Sequence, residues 1–189
     1  MKKSSSKPSK LLNPHDKFFR EVFSRKEEVQ SFLRGALPSP LLQKIDLDSL
    51  QREDTTYLDK LLKEHFSDVV YTCIYQPDIP IQVAFLLEHK SYVPHEMPVQ
   101  FQLLKYMIGI WEHNQKQKQP LMPVIPIIVY HGKESWQKKS LTQYFEEKLN
   151  LPPENPLSRF IPSFEYILTD LSAYPDEEIK QLFDLVSLQ

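Results

Sequence analysis

Glycine is scarce: Gly35, Gly109 and Gly132 are the only three in 189 residues. None lies close enough to another to build a G-x-G-x-x-G turn or a P-loop, whose clustered glycines let backbone N–H groups wrap a phosphate, so both nucleotide cradles are excluded. Cysteine is scarcer still. Cys73 stands alone, which excludes an internal disulfide and a cysteine-based zinc site, and suits the reducing cytoplasm. Apolar runs are short, far from the ~18 residues of a membrane-spanning helix, so no membrane partner is expected. The opening Met1 to Lys10 is basic and serine-rich but lacks the apolar stretch of a secretory signal. Residues 1–12 read as a disordered basic arm, either touching phosphate or simply solvated. Nor is positive charge in excess: 23 Lys and Arg stand against 25 Asp and Glu, a net charge of −2. Contact with nucleic acid therefore has to come from local basic patches.

What is abundant is proline and a foldable composition. Sixteen prolines exceed the usual ~5%, which points to many short elements with fixed ends. With 41% hydrophobic and 25% charged residues, the chain from 13 to 189 suits one domain that buries roughly 70% of its unfolded surface. A first helix is punctuated by Asn13 as N-cap and Pro14 at the first helical position. Phe18, Phe19, Val22, Phe23, Val29, Phe32 and Leu33 follow at helical spacing, and Gly35 ends the pattern. A short helical piece spans Leu41 to Lys44, and Leu47 and Leu50 suit an edge strand.

Ser67 to Tyr75 and Pro80 to Lys90 are rich in apolar and β-branched residues and flank the turn chemistry of Gln76-Pro77-Asp78-Ile79, so they predict an antiparallel hairpin. Pro98 opens a second helix with Phe101, Leu104, Ile108 and Trp111 on one side. The apolar run Pro123 to Tyr130 then predicts a buried strand, parallel to the strand before that helix. Ser140 caps a third helix, Leu141 to Leu149. Phe164 to Thr169 suits a last strand, and Asp176 opens a C-terminal helix. The fold class is α/β: a mixed sheet, antiparallel hairpin plus parallel strand, flanked by helices.

A turn centred on Asp78 sets Asp68 directly opposite Glu88. Lys90, two residues on, projects from the same side. Facing carboxylates ~5 Å apart repel by about 3 kcal/mol at an effective dielectric of ~20, a penalty that a divalent cation removes. Such an ion activates water and stabilises charge on a phosphate, while Lys90 orients or deprotonates the water and holds a phosphoryl oxygen. An ordinary surface Glu–Lys pair beside an unrelated aspartate has the same spacing. The six histidines form no helical H-x-x-x-H, Cys73 fits inert core, and Ser91 has no evident base and orienting acid.

Asp68, a hairpin, then Glu88-His89-Lys90 resemble the PD-(D/E)XK nuclease core. Beyond the core, six phrases run in order: Pro14-His-Asp-Lys-Phe-Phe19, Ser67-Asp-Val-Val-Tyr71, Phe85-Leu-Leu-Glu-His-Lys-Ser91, Ile110-Trp-Glu-His113, Val129-Tyr-His-Gly132 and Asp170-Leu-Ser-Ala-Tyr-Pro-Asp-Glu-Glu178. As a set they resemble the Rpn, or YhgA-like, family of recombination-promoting nucleases and putative transposases. The resemblance implies a restriction-endonuclease-like fold and a magnesium- or manganese-dependent DNA endonuclease linked to recombination. It assigns metal binding to Asp68 and Glu88, a backbone ligand to His89, and an electrostatic or proton-transfer role to Lys90. Many members carry glutamine where this chain has Lys90, which brings it nearer the general nuclease pattern.

Gln102 and Tyr106 form a Q-x-x-x-Y that some related nucleases set beside the metal to contact DNA; an ordinary amphipathic helix gives the same spacing. Asp16, or less favourably Glu21, is a candidate further acid, although capping accounts equally for Asp16. Lys105, Lys116, Lys118, Lys133, Lys138 and Lys139 are candidates for sequence-independent phosphate contacts, or for a solvated surface. The resemblance leaves open a catalytically silent DNA-binding module or a protein-interaction module on the same fold. Site preference and any homo-oligomer do not follow from the sequence.

Overall fold

The computed structural model describes residues 21–54, 67–76, 78–88, 98–130, 135–153 and 155–173. The first apolar helix is interrupted there. Ser24 N–H donates to the Glu21 carbonyl (3.2 Å) and Arg25 N–H to that of Val22 (3.0 Å), making a turn before helix α1, Lys26–Ala36. The buried Tyr71 phenol donates to the Phe23 carbonyl at 2.9 Å, supplying a partner inside the interruption. Gly35 does not end the helix as expected. It lies within the last turn, and no glycine among the described residues has positive φ. The helix stops at Leu37, extended at φ −77° and ψ 139°, because the ring of Pro38 disfavours helical backbone before it. A one-turn helix, α2 (Ser39–Leu42), leads into the sheet.

Five strands lie side by side in chain order: β1 (Ile45–Arg52), β2 (Ser67–Tyr75), β3 (Ile79–Glu88), β4 (Val124–Tyr130) and β5 (Ile167–Asp170). β1, β2 and β3 pair antiparallel, whereas β3, β4 and β5 run parallel. With helices on its faces this mixed sheet is the restriction-endonuclease-like α/β architecture expected from the sequence. β1 is the edge strand anticipated around Leu47 and Leu50, with a bulge between Asp46 and Gln51. There the Ser49 hydroxyl accepts the Ile74 N–H at 2.8 Å, replacing a lost ladder bond.

The hairpin register differs from the expected one. Tyr75 pairs with Ile79, not with the Ile81 expected for a turn centred on Asp78, so Asp68 pairs with Leu86, not Glu88. The slip is two residues. Because the pleat has period two, both positions keep the face assigned to them, and the apolar layer survives with Val69, Tyr71, Cys73, Ile81 and Val83 in one core.

Each face has its own core. Val69, Tyr71, Cys73, Ile81, Val83, Ile127 and Val129 pack with Val29, Phe32 and Leu33 of α1. Val70, Ala84, Val124, Ile128 and Tyr130 pack with helix α3 (Val99–Lys116) through Val99, Leu103, Tyr106, Met107 and Ile110. This corrects the expected α3 face: Ile108 is 43% exposed, and Phe101 and Leu104 are only partly buried. α3 serves two neighbours, and the Phe101 ring meets Tyr144 and Phe145 edge-on at 6.3 and 5.9 Å. Those rings belong to α4 (Leu141–Leu149), which Ser140 caps as expected, in a capping box that pairs it reciprocally with Gln143. No helix among the described residues is long and apolar enough to cross a membrane.

Candidate active site

The parallel strands end together. Glu88 closes β3, Tyr130 closes β4 and Asp170 closes β5, and the ladder sets them in one row: Glu88 beside Tyr130, Tyr130 beside Asp170. Carboxyl ends of parallel strands are where open α/β sheets gather functional groups, because loops leave the sheet there. Asp68, at the start of antiparallel β2, lies at the same end. Its position shares the face of Val70, the face that α3 covers, and Glu88 shares that face with its neighbour Tyr130.

For Asp68 and Glu88 the backbone is described. The two positions lie on one face, two rungs apart along the hairpin, a diagonal spacing of ~7 Å. At an effective dielectric of ~20 two bare carboxylates so placed repel by about 2 kcal/mol, less than for direct opposition. His89 and Lys90 fall outside the described residues, as do Asp16, Lys133 and every histidine except His113. Among the described residues no group of three or more His, Cys, Asp or Glu could hold a metal. The position of the two hard oxygen donors, on one face and at one edge, nevertheless fits a hard divalent cation that keeps several waters.

Helix α3 carries Gln102 and Tyr106 towards that edge. Its far end is fixed at the start of the parallel pair: Asn114 Nδ2 donates to Gln82 Oε1 at 2.9 Å, and Trp111 Nε1 to the Met122 carbonyl at 2.8 Å. From Asn114 back to Tyr106 is about 12 Å of helix, and to Gln102 about 18 Å. From Gln82 forward to Leu86 is about 13 Å of strand, and to Glu88 about 20 Å. Running back along α3 from that anchor, Tyr106 and then Gln102 lie in the direction of the carboxyl end of β3. Both are buried, at 0% and 7% exposure, so polar heads enter an otherwise apolar layer at the acidic end.

Two contributors had no assigned role in the sequence reading. Tyr130, fully buried, flanks Glu88. Asp170 caps the return of the chain after β4: its Oδ2 accepts the Trp136 N–H at 3.0 Å, while its Oδ1 accepts the Ser172 N–H at 3.0 Å and the Ser172 hydroxyl at 2.6 Å. Trp136 in turn sets its indole perpendicular to the Tyr130 ring, centroids 4.9 Å apart. The Asp-x-Ser spacing at 170–172 was the available signal, since it favours such local capping.

The remaining candidates separate. Glu21 is exposed, forms an ion pair with Arg25 at 3.3 Å, and adjoins Val22 and Phe23 of the α1 core, on the other side of the sheet. Lys116 and Lys118 lie at the far end of α3, whereas Lys105 is exposed one residue from Tyr106. Lys138 and Lys139 reach Glu165 and Glu147 at 2.8 and 2.7 Å. The Lys139 carbonyl accepts from Gln100 Nε2 at 2.6 Å, which puts this pair beside the first turn of α3. Cys73 is inert core as expected: burial, and secondarily the charge of Asp46, pushes its thiol up to about 12.

Comparison with known proteins adds a family. Residues 13–188 match the family described as "Putative transposase, YhgA-like". Similar curated proteins of Escherichia coli strain K12 include the inactive recombination-promoting nuclease-like protein RpnE, 28% identical over 92% of this chain and 56% of its own length. The recombination-promoting nucleases RpnA and RpnC are each 28% identical over 89% of this chain, and over 55% and 54% of their own lengths. The chain thus spans about half the length of the curated relatives it matches. No solved structure matches it.

Proposed function

The chain belongs to the YhgA-like putative transposase family, and on that premise we propose that it is a metal-dependent DNA endonuclease acting at the sheet edge of Asp68 and Glu88. The observation that carries this reading is the hairpin register, which puts both acids on the face of α3 at the carboxyl end of the parallel strands. Relatives named recombination-promoting nucleases support the reaction class. Asp68 and Glu88 would hold magnesium or manganese, with the His89 carbonyl as a further ligand. When bound, the ion supplies a water of lowered pKa and positive charge beside the scissile phosphodiester. Lys90 orients that water or takes its proton and steadies a phosphoryl oxygen. Gln102 and Tyr106 contact the DNA strand, and exposed lysines add salt-sensitive phosphate affinity.

A second reading, a DNA-binding module without cleavage, is favoured by the relative named inactive. Incubating the purified chain with supercoiled plasmid, with and without magnesium, separates the two. Nuclease action gives magnesium-dependent nicking that Glu88→Ala and Asp68→Ala abolish, and a magnesium-induced rise in melting temperature that both remove. A silent module binds DNA in a salt-dependent way and leaves the plasmid intact. Unchanged nicking by Glu88→Ala would refute the site.

A further inference from the structure

We propose that Asp170 is a positioning residue for the Glu88 edge, acting through Trp136 and Tyr130; this rests on the endonuclease reading above. The parallel ladder puts Glu88, Tyr130 and Asp170 in consecutive rows of three strands. Tyr130 is fully buried in the core against α3, and its backbone pairs with that of Glu88, so it is the neighbour of that position on the next strand. Trp136, itself 7% exposed, packs edge-on against the Tyr130 ring. Trp136 lies on irregular chain, where no ladder bond fixes it. One Asp170 oxygen takes its N–H, and the other is committed to Ser172, so the carboxylate is clamped from two sides while it clamps Trp136. A charge-assisted bond of this kind is stronger than one between neutral groups. Residues bonded directly to a metal ligand typically change metal affinity 10–100-fold when removed, and Asp170 acts further back, so the low end of that range is expected.

The test uses the whole chain; for the fluorescence measurement alone, Trp111→Phe is added, which costs the bond to the Met122 carbonyl and leaves Trp136 as the single tryptophan of the two in the sequence. Magnesium binding is measured by calorimetry and Trp136 fluorescence, and plasmid nicking is followed against magnesium concentration. Asp170→Ala is expected to shift the Trp136 emission and to raise the magnesium midpoint about tenfold, with nicking at saturating magnesium much less affected. Asp170→Asn keeps one carbonyl acceptor and is expected to give a smaller shift in the same direction; it also serves if the alanine variant does not fold. Ser172→Ala spares the Trp136 bond and is expected to leave the midpoint unchanged. Wild-type midpoints in both Asp170 variants, despite a displaced Trp136 signal, overturn the positioning role alone. Absence of magnesium binding in the parent chain overturns the endonuclease reading and this role with it, and is seen before any variant is compared.

Discussion

Replacing Asn114 with leucine tests how α3 is held against the sheet. Asn114 and Gln82 are buried to 1% and 2% exposure, and their amides meet at 2.9 Å between the last turn of the helix and the first residues of β3. Asn114→Leu leaves the Gln82 oxygen without that donor inside an apolar layer, a penalty of about 1–3 kcal/mol. For a domain of this size, 2 kcal/mol lowers the melting temperature by about 4–8 °C. Gln82→Met alone should cost a similar amount. The double variant replaces both polar groups by apolar ones of similar shape, which is nearly neutral, so the two losses should not add. Urea unfolding of all four proteins should give a coupling energy of at least about 2 kcal/mol, the two single losses that the double variant escapes. Additivity within ~0.5 kcal/mol refutes the idea that this pair clamps the helix. The clamp also sets the axial level of Gln102 and Tyr106. Under the proposed DNA-contacting role of those two residues, the double variant should fold well yet bind DNA more weakly than the parent, as read by fluorescence anisotropy.

Other outcomes follow from the same interior. Tyr71→Phe removes the donor to the Phe23 carbonyl and should cost about 1–2 kcal/mol, or about 2–8 °C in thermal melting. Cys73 keeps its proton in the folded protein to about 12, whereas the unfolded thiol titrates near its ordinary 9.0. Above that pH the unfolded state holds fewer protons, so stability falls as pH rises, by about 1 kcal/mol between pH 9 and pH 10. Cys73→Ala should flatten that part of the pH profile in urea unfolding, and an unchanged slope would contradict the burial argument.

The alternation of SDVVYTCIY and IPIQVAFLLE was enough to specify a hairpin, because a half-buried pleat demands it. The turn centre was not legible: Gln76-Pro77-Asp78 closes a loop from Tyr75 to Ile79 as readily as other centres would, and pairing of the flanking apolar residues decided it. The face of α3 was misread for a related reason. Phe101, Leu104, Ile108 and Trp111 make a tidy stripe, yet the sheet takes the stripe that includes Gln102, Tyr106 and Asn114. Polar residues bury there because each finds a role that periodicity does not weigh, as the Asn114–Gln82 bond illustrates. The stop of α1 was legible in Pro38 rather than Gly35, since a proline restricts its predecessor whether or not a glycine is near. The Asp170 clamp joins residues 34 apart and had only a local Asp-x-Ser hint.

Active and inactive relatives on one family pattern imply that fold and chemistry can part, and the packing explains how. The α1 core and the α3 core are built from Val69, Val70, Tyr71, Cys73, Ile81, Val83 and Ala84 of the hairpin, all between the two acids in the chain. The strands are further held by ladder bonds that depend on backbone alone. Removing one of two carboxylates about 7 Å apart also relieves about 2 kcal/mol of repulsion when no cation is bound. Glu88→Ala should therefore melt at or slightly above the parent temperature without magnesium, and below it when magnesium is saturating. That inversion in thermal denaturation separates lost ion binding from lost structure. A uniform drop in both conditions would show that Glu88 supports the fold instead.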